Sequence, residues 1–277
     1  MKTVTLPGGE TVPALGLGTW KMGVGSPDEA EQRRAIETGI AHGITLIDTA
    51  EMYGEGRSEQ LVGQAIAGKR DKVFLVSKVL PSNASRRGTV AACERSLKRL
   101  GTDVIDLYLL HWRGSYPLAD TVASFMELKT AGKIRHWDVS NFDTRDMGEL
   151  AQVSGGAGCA ANQVLYNAGS RGMEFDLYPK CHAEGIAMMA YCPLGEGPLL
   201  RDPVLQKIGG RHGVSASAVA IAFTLRLPGV ISIPKTSHAV RMIENAAAAT
   251  LHLTAQDLAE IDAAFPPPKR KVPLDIV

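Results

Sequence analysis

The strongest constraint on the fold is a regular alternation of short apolar runs with helical patterns. Eight runs of four to seven residues each predict a buried strand: Leu15–Thr19, Ile44–Ile47, Val73–Ser77, Val104–Leu110, Ile134–Val139, Asn162–Leu165, Ile186–Ala190 and Val230–Ile233. The helical patterns between them are Pro27–His42 (after the start signal Ser26-Pro27), Ser58–Ala67, Ser85–Leu100, Leu118–Ala131, Thr144–Gln152, Gly172–Ala183 and two stretches between Asp202 and Leu227. Strands that alternate with helices form a parallel sheet, and eight such units close a barrel. We therefore expect an α/β protein, a (β/α)8 TIM barrel, with residues 1–277 as a single domain.

Two local signals support this architecture. Val4–Leu6 and Thr11–Ala14 flank the turn sequence Pro7-Gly8-Gly9-Glu10, which predicts an N-terminal β-hairpin that closes the bottom of the barrel. Glycines stand where four of the helices should end, at Gly43, Gly101, Gly132 and Gly185.

Composition excludes several function classes. With a net charge of +1, the chain has no basic or acidic surplus for nucleic acid or an anionic membrane. No run reaches the ~18 apolar residues of a membrane span, and Met1–Glu10 has no signal-peptide core. The four cysteines form no C-x-x-C pair or metal-binding pattern, which is typical of a reducing compartment. We expect a cytoplasmic monomer that binds a small molecule and no metal.

Each predicted strand ends on polar or aromatic side chains. They are, in chain order, Thr19-Trp20, Asp48, Lys78, His111-Trp112, Ser140-Asn141, Gln163, Tyr191 and Pro234-Lys235. From Thr19 to Ser140 the steps are 29, 30, 33 and 29 residues, which is roughly the length of one β-α-β unit. Because the carboxyl ends of barrel strands face one mouth, where active sites are built, these side chains should meet there.

Three of these residues, Asp48, Lys78 and His111, can handle a proton together with Tyr53, in the loop after Asp48. A free phenol has a pKa of about 10, and a buried ammonium beside it lowers that value. Lys78 would act in this way on Tyr53, Asp48 would hold the Lys78 ammonium, and His111 would orient a substrate oxygen. Each residue also has an ordinary explanation: a turn cap, a solvated lysine, a core histidine. These explanations would all have to hold at one barrel mouth, so we favour carbonyl reduction.

The same residues resemble the aldo-keto reductase superfamily over nearly the whole chain, and in particular its bacterial small-carbonyl branch. The matching motifs are Leu17-Gly18-Thr19-Trp20, Leu46-Ile47-Asp48-Thr49-Ala50-x-x-Tyr53-Gly54, Ser77-Lys78, Leu107-Tyr108-Leu109-Leu110-His111-Trp112, Gly132-Lys133-Ile134-Arg135, Val139-Ser140-Asn141-Phe142 and Ile233-Pro234-Lys235. The resemblance implies that Tyr53 is the general acid and that Asp48, Lys78 and His111 complete a catalytic tetrad. It implies a nicotinamide cofactor near Gly18, Thr19 and Trp20. Ser140, Asn141 and Gln163 would bind its carboxamide, and Tyr191 would stack on its ring.

The adenosine end of the cofactor is expected after the last strand. No G-x-G-x-x-G follows a strand, and Gly63-x-x-x-x-Gly68-Lys69 lacks the Ser or Thr of a phosphate loop. Lys235-Thr236-Ser237 precedes a helix, whose free N–H groups suit an anion. By resemblance, Lys235, Thr236 and Arg241 hold the 2′-phosphate, and Glu244 and Asn245 hold adenine; Ser237 is a further cofactor-binding candidate in the same anion site. Two cations at this place favour NADPH over NADH.

The loops and one departure from the family pattern refine the expected function. The segments after His111 and Tyr191 and the tail beyond Phe265 are short, which predicts a shallow mouth lined by Trp20, Tyr53 and Trp112. Such a mouth favours small aldehydes or α-dicarbonyls over steroids. Asp138 stands where the family has glycine, and strand alternation points it into the barrel, where it should pair with a cation such as Lys78 or stay protonated.

Two other functions remain open. Lys78 could instead form a Schiff base, as in an aldolase. The chain could also be a non-catalytic, NADPH-binding redox sensor that regulates a partner protein. Borohydride trapping of Lys78 would support the first, and tight cofactor binding without turnover would support the second.

Overall fold

The structure, a computed structural model that describes residues 2–25 and 28–277, is a barrel of parallel strands inside a ring of helices. The strands are β1 Thr3–Thr5, β2 Thr11–Pro13, β3 Gly16–Gly18, β4 Leu46–Asp48, β5 Phe74–Val79, β6 Ile105–Leu110, β7 Ile134–Ser140, β8 Ala161–Leu165, β9 Ala187–Tyr191 and β10 Val230–Ser232. The α-helices are α1 Glu29–Ala41, α2 Arg57–Ile66, α3 Arg86–Leu100, α4 Leu118–Thr130, α5 Thr144–Gln152, α6 Leu177–Ala183, α7 Pro203–His212, α8 Ala216–Thr224, α9 Ala239–Ala248 and α10 Ala255–Ala264.

The eight strands β3 to β10 pair in chain order, all parallel, and the first meets the last. Parallel bridges join Leu15 to Ser232 and Gly18 to Lys235. A Cβ at Gly18 would lie 2.9 Å from the Ile233 carbonyl oxygen, so only glycine fits at this seam. The predicted (β/α)8 barrel is confirmed.

The predicted apolar runs become strands because both of their faces are covered. Every residue of β5 and β6 is buried. On the outer side Trp137 of β7 stacks on Phe125 of α4, with ring centroids 5.5 Å apart, and Tyr108 of β6 meets the edge of the same ring. The barrel interior carries the polar side chains that matter for chemistry.

The N-terminal hairpin lies at the end of the barrel opposite the strand carboxyl ends. Glu10, in the hairpin turn, contacts Nε2 of His136, two residues into β7, at 2.7 Å. The Ala14 carbonyl accepts a hydrogen bond from the N–H of Ser232. The hairpin therefore closes the bottom, as the sequence predicts, and leaves the opposite mouth open.

Helix ends follow ordinary capping chemistry. The side chain of Ser85 caps α3, and Gly101 ends that helix in the left-handed conformation, at φ 64°. Asp143 begins α5 with a reciprocal capping box that includes Asp146. The side chain of Asp28 caps α1; the proposed start signal Ser26-Pro27 lies outside the described residues.

Two helix predictions need correction. The pattern Gly172–Ala183 is not one helix but a single 3-10 turn, Gly172–Glu174, followed by the short α6. Pro179 fits only the first turn of a helix, which limits how far α6 extends toward its N-terminus. The sequence reasoning also missed α10, which begins with a capping box between Thr254 and Asp257.

Within residues 2–25 and 28–277 no helix is both long and apolar enough to cross a membrane.

Candidate active site

Lys78 is the centre of the site. Its Nζ donates hydrogen bonds to Oδ2 of Asp48 at 2.8 Å, to the carbonyl of Thr49 at 2.9 Å and to the hydroxyl of Tyr53 at 3.1 Å. Lys78 and Asp48 lie on neighbouring strands with their side chains in the barrel interior, and both are buried. The turn after β4 brings Tyr53 back over them, and it needs the left-handed residue Gly54, at φ 58°. The predicted juxtaposition of phenol and ammonium is present.

The charge state of this pair differs from the sequence-based expectation. Burial raises the pKa of Tyr53 above its ordinary value, and the nearby Lys78 ammonium only partly offsets that effect. The expectation that Lys78 brings the pKa below 10 is wrong for the protein by itself, because desolvation of a phenolate outweighs one cation. Burial lowers the pKa of Lys78, but Asp48 and Tyr53 raise it by a larger amount. The pKa of Lys78 is therefore above its ordinary value. Near neutral pH the site therefore holds a protonated phenol beside a charged ammonium.

His111 faces Tyr53 as a neutral imidazole. Its ring meets the Tyr53 ring edge-on, with centroids 5.7 Å apart. Burial, assisted by the Lys78 charge, lowers the pKa of His111 to about 2. Its Nδ1 is buried and has no partner among the described residues. A neutral imidazole can donate one hydrogen bond, which suits a substrate oxygen better than proton release.

The amide side chains of Gln163 and Asn141 hold Asp48 and Tyr191 in position. Gln163 donates through Nε2 to Oδ1 of Asp48 at 2.8 Å, so both carboxylate oxygens are engaged. Asn141 sits at φ 61°, a conformation that asparagine tolerates better than most residues. Its side chain donates to the His111 carbonyl and accepts from the Tyr191 hydroxyl at 2.9 Å. These contacts hold Asp48 and Tyr191 in place before any ligand binds.

One cavity of about 770 Å³ joins this group to α9. The predicted residues on its wall are Gly18, Trp20, Asp48, Tyr53, His111, Trp112, Ser140, Asn141, Gln163, Tyr191, Lys235, Thr236, Ser237, Arg241, Glu244 and Asn245. Two predicted residues lie behind the wall. Lys78 is covered by Tyr53, and Thr19 donates from its hydroxyl to the Asp48 carbonyl.

The α9 end of the cavity has the chemistry of an anion site. Lys235 and Arg241 supply positive charge, and burial, together with the nearby Lys21, lowers the pKa of Lys235. Ser237 is buried, and its hydroxyl has no partner within the described residues. An unpaired buried hydroxyl beside two cations at a helix start fits a phosphate group.

Comparison with known proteins agrees with this geometry. Residues 14–265 match the model of the aldo/keto reductase family. The chain belongs to this family. It is 46% identical to methylglyoxal reductase YeaE of Escherichia coli, over 100% of this chain and 99% of that protein, and 35% identical to glyoxal reductase of Bacillus subtilis, over 94% and 92%. An aldo-keto reductase of Klebsiella pneumoniae, solved in complex with NADPH, shares 45% identity at a TM-score of 0.97, over 100% of this chain and 99% of that chain. The predicted family and its carbonyl-reducing type of chemistry are confirmed.

This aldo/keto reductase carries an unpaired carboxyl group at Asp138. The residue is fully buried on β7, opposite Leu109 of β6, and neither of its oxygens has a partner among the described residues. The expected pairing with Lys78 is absent, because the three hydrogen bonds of that ammonium go elsewhere. Burial and the Asp48 charge raise the pKa of Asp138 well above its usual value, so the protonated alternative holds.

The reductase cavity also contains residues that the sequence reasoning missed. They are Lys21, Met52, Cys192, Glu196, His238, Ile276 and Val277, among others. Nζ of Lys21 lies 4.0 Å from the Trp20 ring centroid. Its position directly after the Thr19-Trp20 motif could have identified it from the sequence as a residue of the site. Cys192 lies on the wall with its backbone in the left-handed region, at φ 50°.

The C-terminal tail corrects the expected shape of the mouth. Lys271 lies 3.4 Å from both Asp143 and Asp176, which anchors the tail beside the start of α5, and Ile276 and Val277 then reach the cavity. The tail was expected to be too short to shape the mouth, and that expectation is wrong. Ion pairs between positions so distant in sequence leave no local pattern.

Proposed function

We propose that this protein reduces small aldehydes or α-dicarbonyls to alcohols, with Tyr53 as the general acid. The observation that carries the proposal is the 3.1 Å hydrogen bond from the buried Lys78 ammonium to a phenol on the wall of the cavity. A protonated phenol next to a fixed cation is an acid that becomes stronger only as negative charge forms nearby.

NADPH is the cofactor, and the cavity suits it at both ends. The Lys235, Ser237 and Arg241 cluster would take the 2′-phosphate, and Asn141, Ser140 and the side-chain oxygen of Gln163 would take the carboxamide. The structure of the similar Klebsiella pneumoniae protein in complex with NADPH supports this assignment. When bound there, NADPH supplies the hydride that reduces the carbonyl carbon.

The residues of this chain then manage the oxygen. The substrate oxygen accepts hydrogen bonds from the Tyr53 hydroxyl and the His111 imidazole, which both face the cavity. As charge develops on that oxygen, Tyr53 transfers its proton, and Lys78 stabilises the phenolate left behind. Asp48 keeps the ammonium charged and aimed at Tyr53. General acid catalysis of this kind contributes about 10²–10⁴-fold in rate.

The wall of the mouth supports small substrates. Trp20, Met52 and Trp112 provide apolar surface, and Ile276 and Val277 narrow the space from the tail. Two relatives are named for methylglyoxal and glyoxal reduction, and both substrates belong to this class.

A Schiff-base aldolase is disfavoured by the position of Lys78. An amine nucleophile must be neutral and accessible. Lys78 is fully buried, makes three hydrogen bonds and keeps its proton because its pKa is raised by Asp48 and Tyr53.

The decisive experiment is NADPH oxidation, followed by its absorbance, across a panel of small aldehydes and α-dicarbonyls that includes methylglyoxal. We expect turnover with wild type and a fall in kcat of about 10²–10⁴-fold for Tyr53→Phe, with NADPH affinity unchanged. Tyr178→Phe is the matched control, because Tyr178 binds the Pro228 carbonyl and does not line the cavity. Tight NADPH binding without turnover would favour the redox sensor. Better kcat/KM for a bulky ketosteroid than for every small aldehyde would refute the substrate class.

A further inference from the structure

His238 stands at the α9 end of the cavity and is not among the residues assigned to the cofactor above. It precedes the first residue of α9, and the N–H of His238 donates to the Thr236 hydroxyl, which fixes its backbone in the anion site. Its side chain lines the cavity together with Lys235 and Arg241. The imidazole is therefore close to the position where a phosphate would bind.

A carboxylate from another helix holds the imidazole. Nδ1 of His238 lies 2.6 Å from Oε1 of Glu31, in the first turn of α1. No partner for Nε2 of His238 is present among the described residues, so one ring nitrogen is engaged and the other is available. Histidine is the side chain that ordinarily changes its charge between about pH 5 and 8, and it donates from both ring nitrogens only when it is protonated.

The charges around His238 oppose one another. The carboxylate of Glu31 contacts the imidazole, and Glu244 of α9 lines the same cavity. The positive charges of Lys235 and Arg241 and the positive end of α9 lie on the other side of this balance. A bound phosphate dianion would neutralise the cations and add a second acceptor. Binding should therefore shift the balance toward the protonated ring.

We propose that His238, held by Glu31, is a cofactor-selecting residue: its imidazolium binds the 2′-phosphate of NADPH through Nε2, so that the preference for NADPH over NADH depends on pH. This inference rests on the proposed placement of the 2′-phosphate. It adds a contact that titrates, whereas the contact made by the Arg241 guanidinium keeps its charge at every working pH.

The proposal predicts that 2′-phosphate binding takes up a proton. At pH 7.5 a 2′-phosphate, with a second pKa of about 6, is already mostly a dianion. Binding to cations can only make the phosphate release protons, whereas binding to His238 makes the imidazole gain one. Lys235, whose pKa is lowered by burial, can also gain a proton, so the share that belongs to His238 is the uptake that His238→Gln removes.

Calorimetric titration at pH 7.5 in buffers of different ionisation enthalpy measures this quantity directly. The probes are 2′,5′-ADP and its matched ligand 5′-AMP, which lacks the 2′-phosphate. We expect proton uptake with 2′,5′-ADP only, lost in His238→Gln and reduced in Glu31→Gln. His238→Gln should weaken 2′,5′-ADP about tenfold at pH 6 and much less at pH 8.5.

Arg241→Gln is the control: it should weaken 2′,5′-ADP at every pH and keep the proton uptake. Equal proton uptake in wild type and His238→Gln would overturn the proposal. If His238→Gln disturbs the start of α9, Glu31→Gln provides a second test, because Glu31 lies on α1 and its loss should also reduce the proton uptake. If wild type binds 2′,5′-ADP no more tightly than 5′-AMP, the placement of the 2′-phosphate itself is wrong, a result distinct from any failure of carbonyl reduction.

Discussion

Replacing Asp138 with asparagine should stabilise the protein, and the gain should grow with pH. The side chain is fully buried, and neither of its oxygens has a partner in the described part of the chain. Burial and the Asp48 charge raise the pKa of Asp138, with Lys78 opposing them. The folded protein therefore keeps a proton on Asp138 that the unfolded chain releases above about pH 4.

The sign and size of the effect follow from that difference. Below about pH 4 both states are protonated and Asp138 has no pH-linked effect. Above it, the free energy of unfolding falls by about 1.4 kcal/mol per pH unit, until the pH reaches the raised pKa of the folded state. This single group therefore makes the wild type less stable as the pH rises from about 4 toward that raised pKa. Asparagine has nearly the same shape and leaves similar polar atoms buried, but it carries no proton to lose.

Urea unfolding of wild type and Asp138→Asn at pH 5, 6, 7 and 8 isolates this term, because the other carboxyl groups cancel in the difference. We expect the variant to gain stability relative to wild type as the pH rises, by at most about 1.4 kcal/mol per pH unit, or roughly 2–4 °C in Tm for each kcal/mol. Asp106→Asn is the control: Asp106 is equally buried but bonds to Arg70 and to the Leu75 N–H, so its loss should destabilise. A stability difference for Asp138→Asn that is constant across this pH range would refute the reasoning.

Three further outcomes test other parts of the structure. Arg171→Met should lower the free energy of unfolding by about 1–3 kcal/mol in urea titrations, because it removes one of the two arginines bonded to Glu174 and cuts the link to Asp262 of α10; an unchanged stability would contradict this. Because the pKa of His111 is lowered to about 2, kcat should show no inflection near pH 6.5 in wild type, and His111→Asn should lower kcat without changing the shape of the pH profile. Lys235→Met should weaken NADPH roughly tenfold in fluorescence titrations and leave NADH nearly unchanged; equal losses for both would show that it does not contact the 2′-phosphate.

The barrel was readable from sequence because burial on both faces leaves a plain signature. The continuous apolar runs of β5 and β6 and the glycines that end helices are local signals, and the structure confirms the elements that they predict. The spacing of strand-end residues likewise placed Asp48 and Lys78 together, with Tyr53 in the loop after Asp48, since the strands of a closed parallel barrel all end at one rim. The capping box of α10 was also a local signal, although the sequence reasoning did not use it.

Other features depend on distances that a sequence does not encode locally. The hydrogen bond between Glu31 and His238 joins residues 207 positions apart, and the tail reaches the mouth through Lys271. The pKa of Tyr53 depends on the balance between burial and one cation, and that balance requires the packed structure.

The charges of the barrel interior explain why Asp138 is compatible with catalysis. Lys78 serves Tyr53 only if a single anion, Asp48, faces it, since a second carboxylate nearby would draw the ammonium away from the phenol. A protonated Asp138 adds no charge, so the direction of the Lys78 interaction is kept, at the expense of fold stability as the pH rises. Asp138→Gly should therefore leave the neutral branch of the pH–rate profile unchanged and alter only its alkaline limb, where an ionised Asp138 would begin to compete for Lys78. A profile that coincides with wild type at every pH would show that the two carboxyl groups are not coupled through Lys78.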